Sequence, residues 1–208
     1  IATTPSTKSC FMVNISLKEK QIKYTNHTIY YHKKDDVWYD IEKSVEDSPN
    51  TFSYFFYQDK QNPTYASAIS ILCFIDFDNF EKWKKSMHTT THSKSRGDEY
   101  AYYKQAIIEK YILESEAVIP GLKNAISIVD ACTPLTYRDY LNTPMGGIYG
   151  VRKDVDDLAN TTYATRTKIK NLFLTGQNIN LHGVLGVSIT AVLTAGDIIG
   201  LEKLVNKI

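Results

Sequence analysis

The chain has 208 residues, 43% of them apolar and 23% charged, with a formal net charge of +1. That length can bury a proper core as one large domain or a domain and a half, and the composition is that of an ordinary soluble globular protein. The near-neutral balance excludes a nucleic-acid binder that works through a broad basic field.

The opening IATTPSTKS begins on Ile1 rather than Met and reads as internal sequence, so a fragment or processed product is expected. In residues 10–17, Phe11, Val13, Ile15 and Leu17 alternate with Met12, Asn14 and Ser16, the pattern of a half-buried strand. Residues 27–31 (HTIYY) read as a second strand and residues 33–49 as an acidic helix or loop around Trp38. Residues 52–57 (FSYFFY) and 68–77 (AISILCFIDF) are further strands; the latter is apolar on both faces and is expected at the centre of a covered sheet. Asp78 and Glu81 have capping-box spacing and predict a short helix through Trp83.

Residues 84–97 are polar and carry His88 and His92, four apart. Three intervening threonines and the lack of a nearby acidic ligand favour a mobile loop over a metal site. Asp98 is expected to cap a helix to about Val118, with Tyr100, Tyr103, Ile107, Tyr111 and Ile112 as its stripe, stopped by Pro120-Gly121. Residues 125–129 (AISIV) read as a strand, and Thr133-Pro134 opens a short helix through Leu141. Residues 145–150 (MGGIYG) form a glycine-dense loop carrying Tyr149, which either lets the main chain approach a flat partner or simply turns tightly. Residues 151–170, acidic around Asp154, Asp156 and Asp157, lack the glycine and closing Glu of a calcium loop and read as solvated.

The chain ends in a strand–turn–helix unit at residues 171–204. Leu172-Phe173-Leu174 is a short strand, Thr175-Gly176 turns, and a long apolar helix opens at His182-Gly183. Unpaired N–H groups at such a helix start suit an anion or the electron-rich edge of a cofactor. The same order also describes a buried unit whose glycines serve close packing. Residues 183–201 hold one charge, Asp197, but also Ser188, Thr190, Thr194 and four glycines, so a helix buried between protein layers is expected rather than a membrane span. Small residues recur as Ser188, Ala191 and Ala195 and as Gly196 and Gly200; a covering layer is therefore missing or comes from a partner chain such as a second copy.

Cys10, Cys73 and Cys132 are far apart and form no C-x-x-C, so they read as free thiols, without zinc, in a cytoplasmic protein. The sequons at Asn14, Asn26 and Asn160 matter only for a secreted chain, and no signal-peptide pattern is present. No nucleophile elbow, P-loop or G-x-G-x-x-G occurs.

Two stretches together carry a resemblance. The segment TPLTYRDY from Thr133 with MGGIYG from Met145, and LFLTGQ from Leu172 with NLHGVLG from Asn180, resemble motifs of the phytoene-desaturase-like flavoproteins. Within that family they look most like the branch of retinol saturase (all-trans-retinol 13,14-reductase) and carotenoid isomerase. The segment RGDEY from Arg96 fits as well, and the match is specific mainly from there onward. The resemblance implies an FAD enzyme that moves a hydride to or from a long apolar polyene, with NAD(P) use open. The implied fold is α+β. Residues 1–145 would hold a mixed, largely antiparallel sheet with helices, as a portion of the substrate-binding domain. Residues 146–208 would supply the C-terminal strand and helix of an incomplete, Rossmann-like FAD-binding domain. The family's dinucleotide motif is absent, so the N-terminal FAD-binding half is an expected partner and this fragment alone is expected to be inactive. The implied cofactor-binding residues are Gly176, Gln177, His182, Gly183, Val184, Leu185 and Gly186, and Gly147 and Tyr149 would line the substrate. No catalytic acid or base follows from the motifs. Peripheral membrane contact is implied only through the bilayer-dwelling substrate. The competing class is a non-catalytic α+β module that binds an apolar ligand or dimerises.

Overall fold

The computed structural model describes residues 5–43, 49–87 and 95–206. His88 and His92 lie outside the described residues. The chain divides into two compact units, Lys8–Gly146 and Ile1–Thr7 with Gly147–Ile208.

Lys8–Gly146 is built on a five-stranded sheet of β1 (Ser9–Leu17), β2 (Ile29–His32), β3 (Thr51–Gln58), β4 (Ala66–Ile75) and β5 (Ile126–Cys132), in the order β2-β3-β4-β1-β5. The short helix α1 (Tyr39–Glu42) lies between β2 and β3 in the chain. Among the described residues every strand pairing is antiparallel, where a mixed sheet was expected. The strand read as central is central. Its register puts Ile71 beside Val13 and Ile69 beside Ile15 on β1, and Ile71 beside Tyr54 on β3. A period of two therefore collects Phe11, Val13, Ile15, Phe52, Tyr54, Ile69, Ile71, Cys73 and Ile75 into one buried cluster. The opposite face of β4, at Ala68, Leu72 and Phe74, is only half-buried.

The helix α2 (Asp98–Ser115) supplies Ile107, Ile108, Tyr111 and Ile112 to that cluster. Tyr111 meets Phe11 and Phe52 edge-on, with ring centroids 5.6 and 5.5 Å apart. Burying each such side chain contributes about 1.5–3 kcal/mol, so this unit carries its own core. The N-cap of α2 is Gly97, at φ +88°, rather than the expected Asp98, which sits in the first turn and still complements the helix dipole. The helix ends at Ser115, before the expected Val118. The Asp78–Glu81 spacing likewise does not make a capping box: residues Phe77–Trp83 form a 3-10 helix with Asp76 at its N-cap and no side-chain cap. Glu81 pairs with Lys84 instead.

A one-turn helix, α3 (Leu122–Ala125), leads into β5, and α4 (Pro134–Leu141) follows it. Thr133 opens α4 as expected: its N–H donates to Thr136 Oγ1 at 3.1 Å, and Pro134 occupies the first turn. Asp139 on α4 is a buried carboxylate held by two guanidiniums, Arg96 at 2.7 Å and Arg138 at 2.7 Å. Arg138 also donates to the carbonyls of Lys84 and Ser86. All three cysteines are free. Burial pushes the Cys10 thiol up to about 12 and that of Cys73 well above its usual value, so both are inert packing groups.

In the second unit, residues 5–7 pair with the 150–152 segment through the Ser6–Val151 bridge. The helices are α5 (Leu158–Thr161), α6 (Gly183–Ile199) and α7 (Leu201–Val205). The expected strand at residues 172–174 is reduced to an isolated bridge between Arg166 and Phe173, flanked by Leu174 N–H bonded to Thr165 O at 2.7 Å. A run this short has no neighbouring strand to extend the ladder. The long helix stops at Gly200, where φ of +92° breaks it before Leu201.

The expectation that α6 is buried fails within this chain. Among its residues only Gly186 and Thr190 are buried, and Val184 is 89% exposed. No helix among the described residues is long and apolar enough to cross a membrane.

Candidate functional site

Of the residues singled out by the motifs, Tyr149 and His182 are in ring contact at the start of α6. Two segments are stitched together there. The 147–151 loop is tied to residues 5–7: Tyr149 N–H donates to Thr7 Oγ1 at 3.0 Å, and Gly150 O accepts from Thr7 N–H at 2.9 Å. Gly147 is buried against Ser6 and Thr7, where a Cβ would collide with the Ser6 hydroxyl and the Thr7 carbonyl. It therefore packs the loop down and lines no open surface.

The loop is next joined to the turn after Gly176. Val151 N–H donates to Asn178 Oδ1 at 2.9 Å, and a Cβ on Gly150 would meet that same oxygen. Lys153 clamps the turn from the other side, its ammonium donating to Thr161 O at 2.7 Å, Asn178 O at 2.8 Å and Ile179 O at 3.2 Å. Desolvation holds the Lys153 ammonium below the usual lysine value. Ile179 N–H closes the turn on Gly176 O at 3.1 Å, and Gln177 is half-buried within it.

Gly176 and Gly183 share one geometry. Their φ values are +99° and +74°, and at each the direction a Cβ would take is open, with no atom within 4 Å. Positive φ explains glycine at both positions, and the open space beyond them leaves bare main chain for a ligand to approach. Gly186 differs: a Cβ there would lie 2.5 Å from Leu181 Cβ and 2.9 Å from Leu181 O, so it is needed for packing one turn into the helix.

His182 is the N-cap residue of α6, in extended backbone, and its side chain makes no cap hydrogen bond. The first-turn N–H groups of the helix therefore lack a side-chain acceptor from the cap. Val184 and Leu185 are strongly exposed beside them. The His182 ring rests on Tyr149, centroids 4.6 Å apart and planes at 39°.

Farther along α6, Thr194 Oγ1 donates to Leu174 O at 3.2 Å, and Asp197 binds the Thr165 hydroxyl and faces Arg166. A cleft of about 560 Å³ opens there, lined by Tyr163, Thr165, Arg166, Asn180, Leu193 and Asp197 among others. Asn180 is the one residue of the quoted motif segments that lines it, and none of the implied cofactor-binding residues does. Among the described residues no cluster of three His, Cys, Asp or Glu side chains forms a metal site.

Thr7, Lys153 and Asn178 hold this arrangement, and none was picked out by sequence. Thr7 lies 142 positions from the amide it accepts, and Lys153 sits in a stretch read as solvated loop. No local spacing signals such contacts.

No family model matches the chain. It is similar to all-trans-retinol 13,14-reductase of Danio rerio, 36% identical over 137 residues that make up 64% of this chain and 21% of that protein. It is also similar to the proteins of the same name from Macaca fascicularis and Homo sapiens, at 28% and 27% identity, each covering 84% of this chain and 30% of the relative. The chain thus spans about a fifth to a third of the length of the curated relatives it matches. Over most of its length the chain is thus similar to proteins named all-trans-retinol 13,14-reductase, in line with the resemblance of its motifs.

Proposed function

We propose that the chain is part of an FAD-dependent oxidoreductase that acts on a long apolar polyene, a retinoid or carotenoid. One observation carries the reading: the bare main chain at Gly183 in an uncapped, apolar helix start, with a second bare glycine, Gly176, in the turn that precedes it in the chain. These residues fit a flat cofactor. Gly176 and Gly183 admit its edge to main-chain distance, and the first-turn N–H groups of Val184, Leu185 and Gly186 stabilise negative charge developing there. The aliphatic side chains of Val184 and Leu185 keep water from that edge. FAD, when bound, supplies the hydride chemistry, and the protein orients it. The names of the relatives support a retinoid as substrate, and in this reading residues 1–145 supply the substrate-binding portion. The half of the cofactor site that grips the ADP moiety would lie in sequence outside these 208 residues, in keeping with the fraction of the relatives that the chain spans.

The test is the visible spectrum of the protein expressed from its full reading frame. Flavin absorbance on purification, or on adding FAD, is the expected result. A colourless protein that does not take up FAD sinks the reading and leaves the non-catalytic apolar-ligand module, which the exposed flank of α6 alone favours. In the flavin-loaded protein, Gly183→Leu should lower flavin occupancy, since it both strains a φ of +74° and fills the approach.

A further inference from the structure

We propose that His182 is the proton donor of this site and that Tyr149 is the residue that positions it; the inference rests on the oxidoreductase reading above. The chain holds the two rings together by main-chain contacts. Tyr149 is carried by a loop whose amides and carbonyls are fixed by Thr7 and Asn178, and His182 is fixed by its place at the start of α6. Side chains distant in sequence are thereby set in tilted ring contact, centroids 4.6 Å apart and planes at 39°, a contact that restricts the imidazole to few rotamers.

The fold makes little use of the imidazole. His182 gives α6 no side-chain cap and stays exposed, among the exposed aliphatic side chains of Leu181, Val184 and Leu185. It is also the one histidine of the sequence after His92. Histidine is the side chain best suited to give up and regain a proton at ordinary working pH.

Saturating one carbon–carbon double bond needs two electrons with one hydrogen, delivered as hydride to one carbon, and a proton delivered to its neighbour. A reduced flavin, when bound, would supply the hydride equivalent. The proton passes from a ring N–H of the His182 imidazolium to the second carbon, the π bond breaks as that C–H bond forms, and water reprotonates the neutral imidazole. The Tyr149 ring takes no proton. It holds the imidazole where the apolar chain passes the helix start.

The test uses the flavin-loaded protein from the full reading frame. His182→Gln should retain flavin yet slow reoxidation of the pre-reduced flavin by polyene by about 10²–10⁴-fold. Added imidazole should restore part of the rate to His182→Ala. Tyr149→Leu should lower kcat about tenfold with KM unchanged, as expected for a misplaced donor. A second readout needs no turnover: with ¹³C-labelled histidine, the resonance lost in His182→Gln identifies His182, and it should shift in Tyr149→Leu. A His182→Gln protein that holds flavin and reacts at the unaltered rate overturns the donor role alone. An unmoved His182 resonance in Tyr149→Leu overturns the positioning role. A protein that never binds flavin removes the oxidoreductase reading and this inference with it.

Discussion

In Lys8–Gly146 the large apolar side chains face one another, whereas in the C-terminal unit the longest helix turns most of its aliphatic residues to the outside. Phe11, Phe52, Tyr54, Phe80 and Tyr111 are fully buried in the first; in the second, α6 buries only Gly186 and Thr190. The first is held by apolar burial. The second is held by hydrogen bonds that close its loops, from Thr7, Asn178, Lys153 and Thr194. Burial of apolar area scales with the size of the core, but a loop tied by a few polar contacts can present bare main chain and exposed side chains at fixed positions. The contrast separates a scaffold from a surface that awaits something.

That contrast can be broken by mutation. The largest effect is expected from Phe11→Ala, which empties the centre of the buried cluster and should cost about 3–5 kcal/mol by denaturant unfolding. A loss below about 1 kcal/mol would mean that the cluster is not what holds the sheet. Asp139→Asn comes next. It leaves the guanidiniums of Arg96 and Arg138 without their buried counter-charge, and about 3 kcal/mol should be lost. Full stability in that variant would show the network to be incidental.

Lys153→Met tests the polar side of the comparison. Three carbonyls lose their donor, and a loss of about 1–3 kcal/mol is expected. The pH dependence has a definite sign. Because the folded pKa of Lys153 is lowered, the unfolded chain binds the proton more tightly, so its contribution to stability rises as pH climbs from the folded pKa toward the ordinary lysine value. Subtracting the Lys153→Met profile from that of the unaltered protein should leave a rising curve; a flat difference would remove Lys153 from a desolvated position. The smallest effect belongs to Val184→Ser. With that side chain 89% exposed, stability of this chain should change by no more than about 0.5 kcal/mol, whereas flavin occupancy in the full-length protein should fall.

Much of the first unit could be read from the chain itself. The alternation over residues 10–17, the aromatic run at 52–57 and the helical stripe from Tyr100 to Ile112 each repeat at the period of the element they form. The motif segments around Gly176 and His182 were also visible, because glycine and a helix start leave local marks. The errors fell where local spacing competes with context. Asp78 and Asp98 look like caps, but the chain enters those helices from Asp76 and Gly97. Leu172-Phe173-Leu174 looks like a strand, yet a strand exists only through its neighbour, and here that neighbour is a single bridge.

The sequence by itself determined the period of each buried face and the apolar character of the last helix, since these depend on residues a few positions apart. Only the tertiary structure decided that Gly147 packs while Gly176 and Gly183 stay open, that Lys153 is a clamp, and that Tyr149 lies on His182. Those outcomes depend on which distant backbone atoms the fold brings within hydrogen-bonding reach, and no local pattern of side chains encodes that distance.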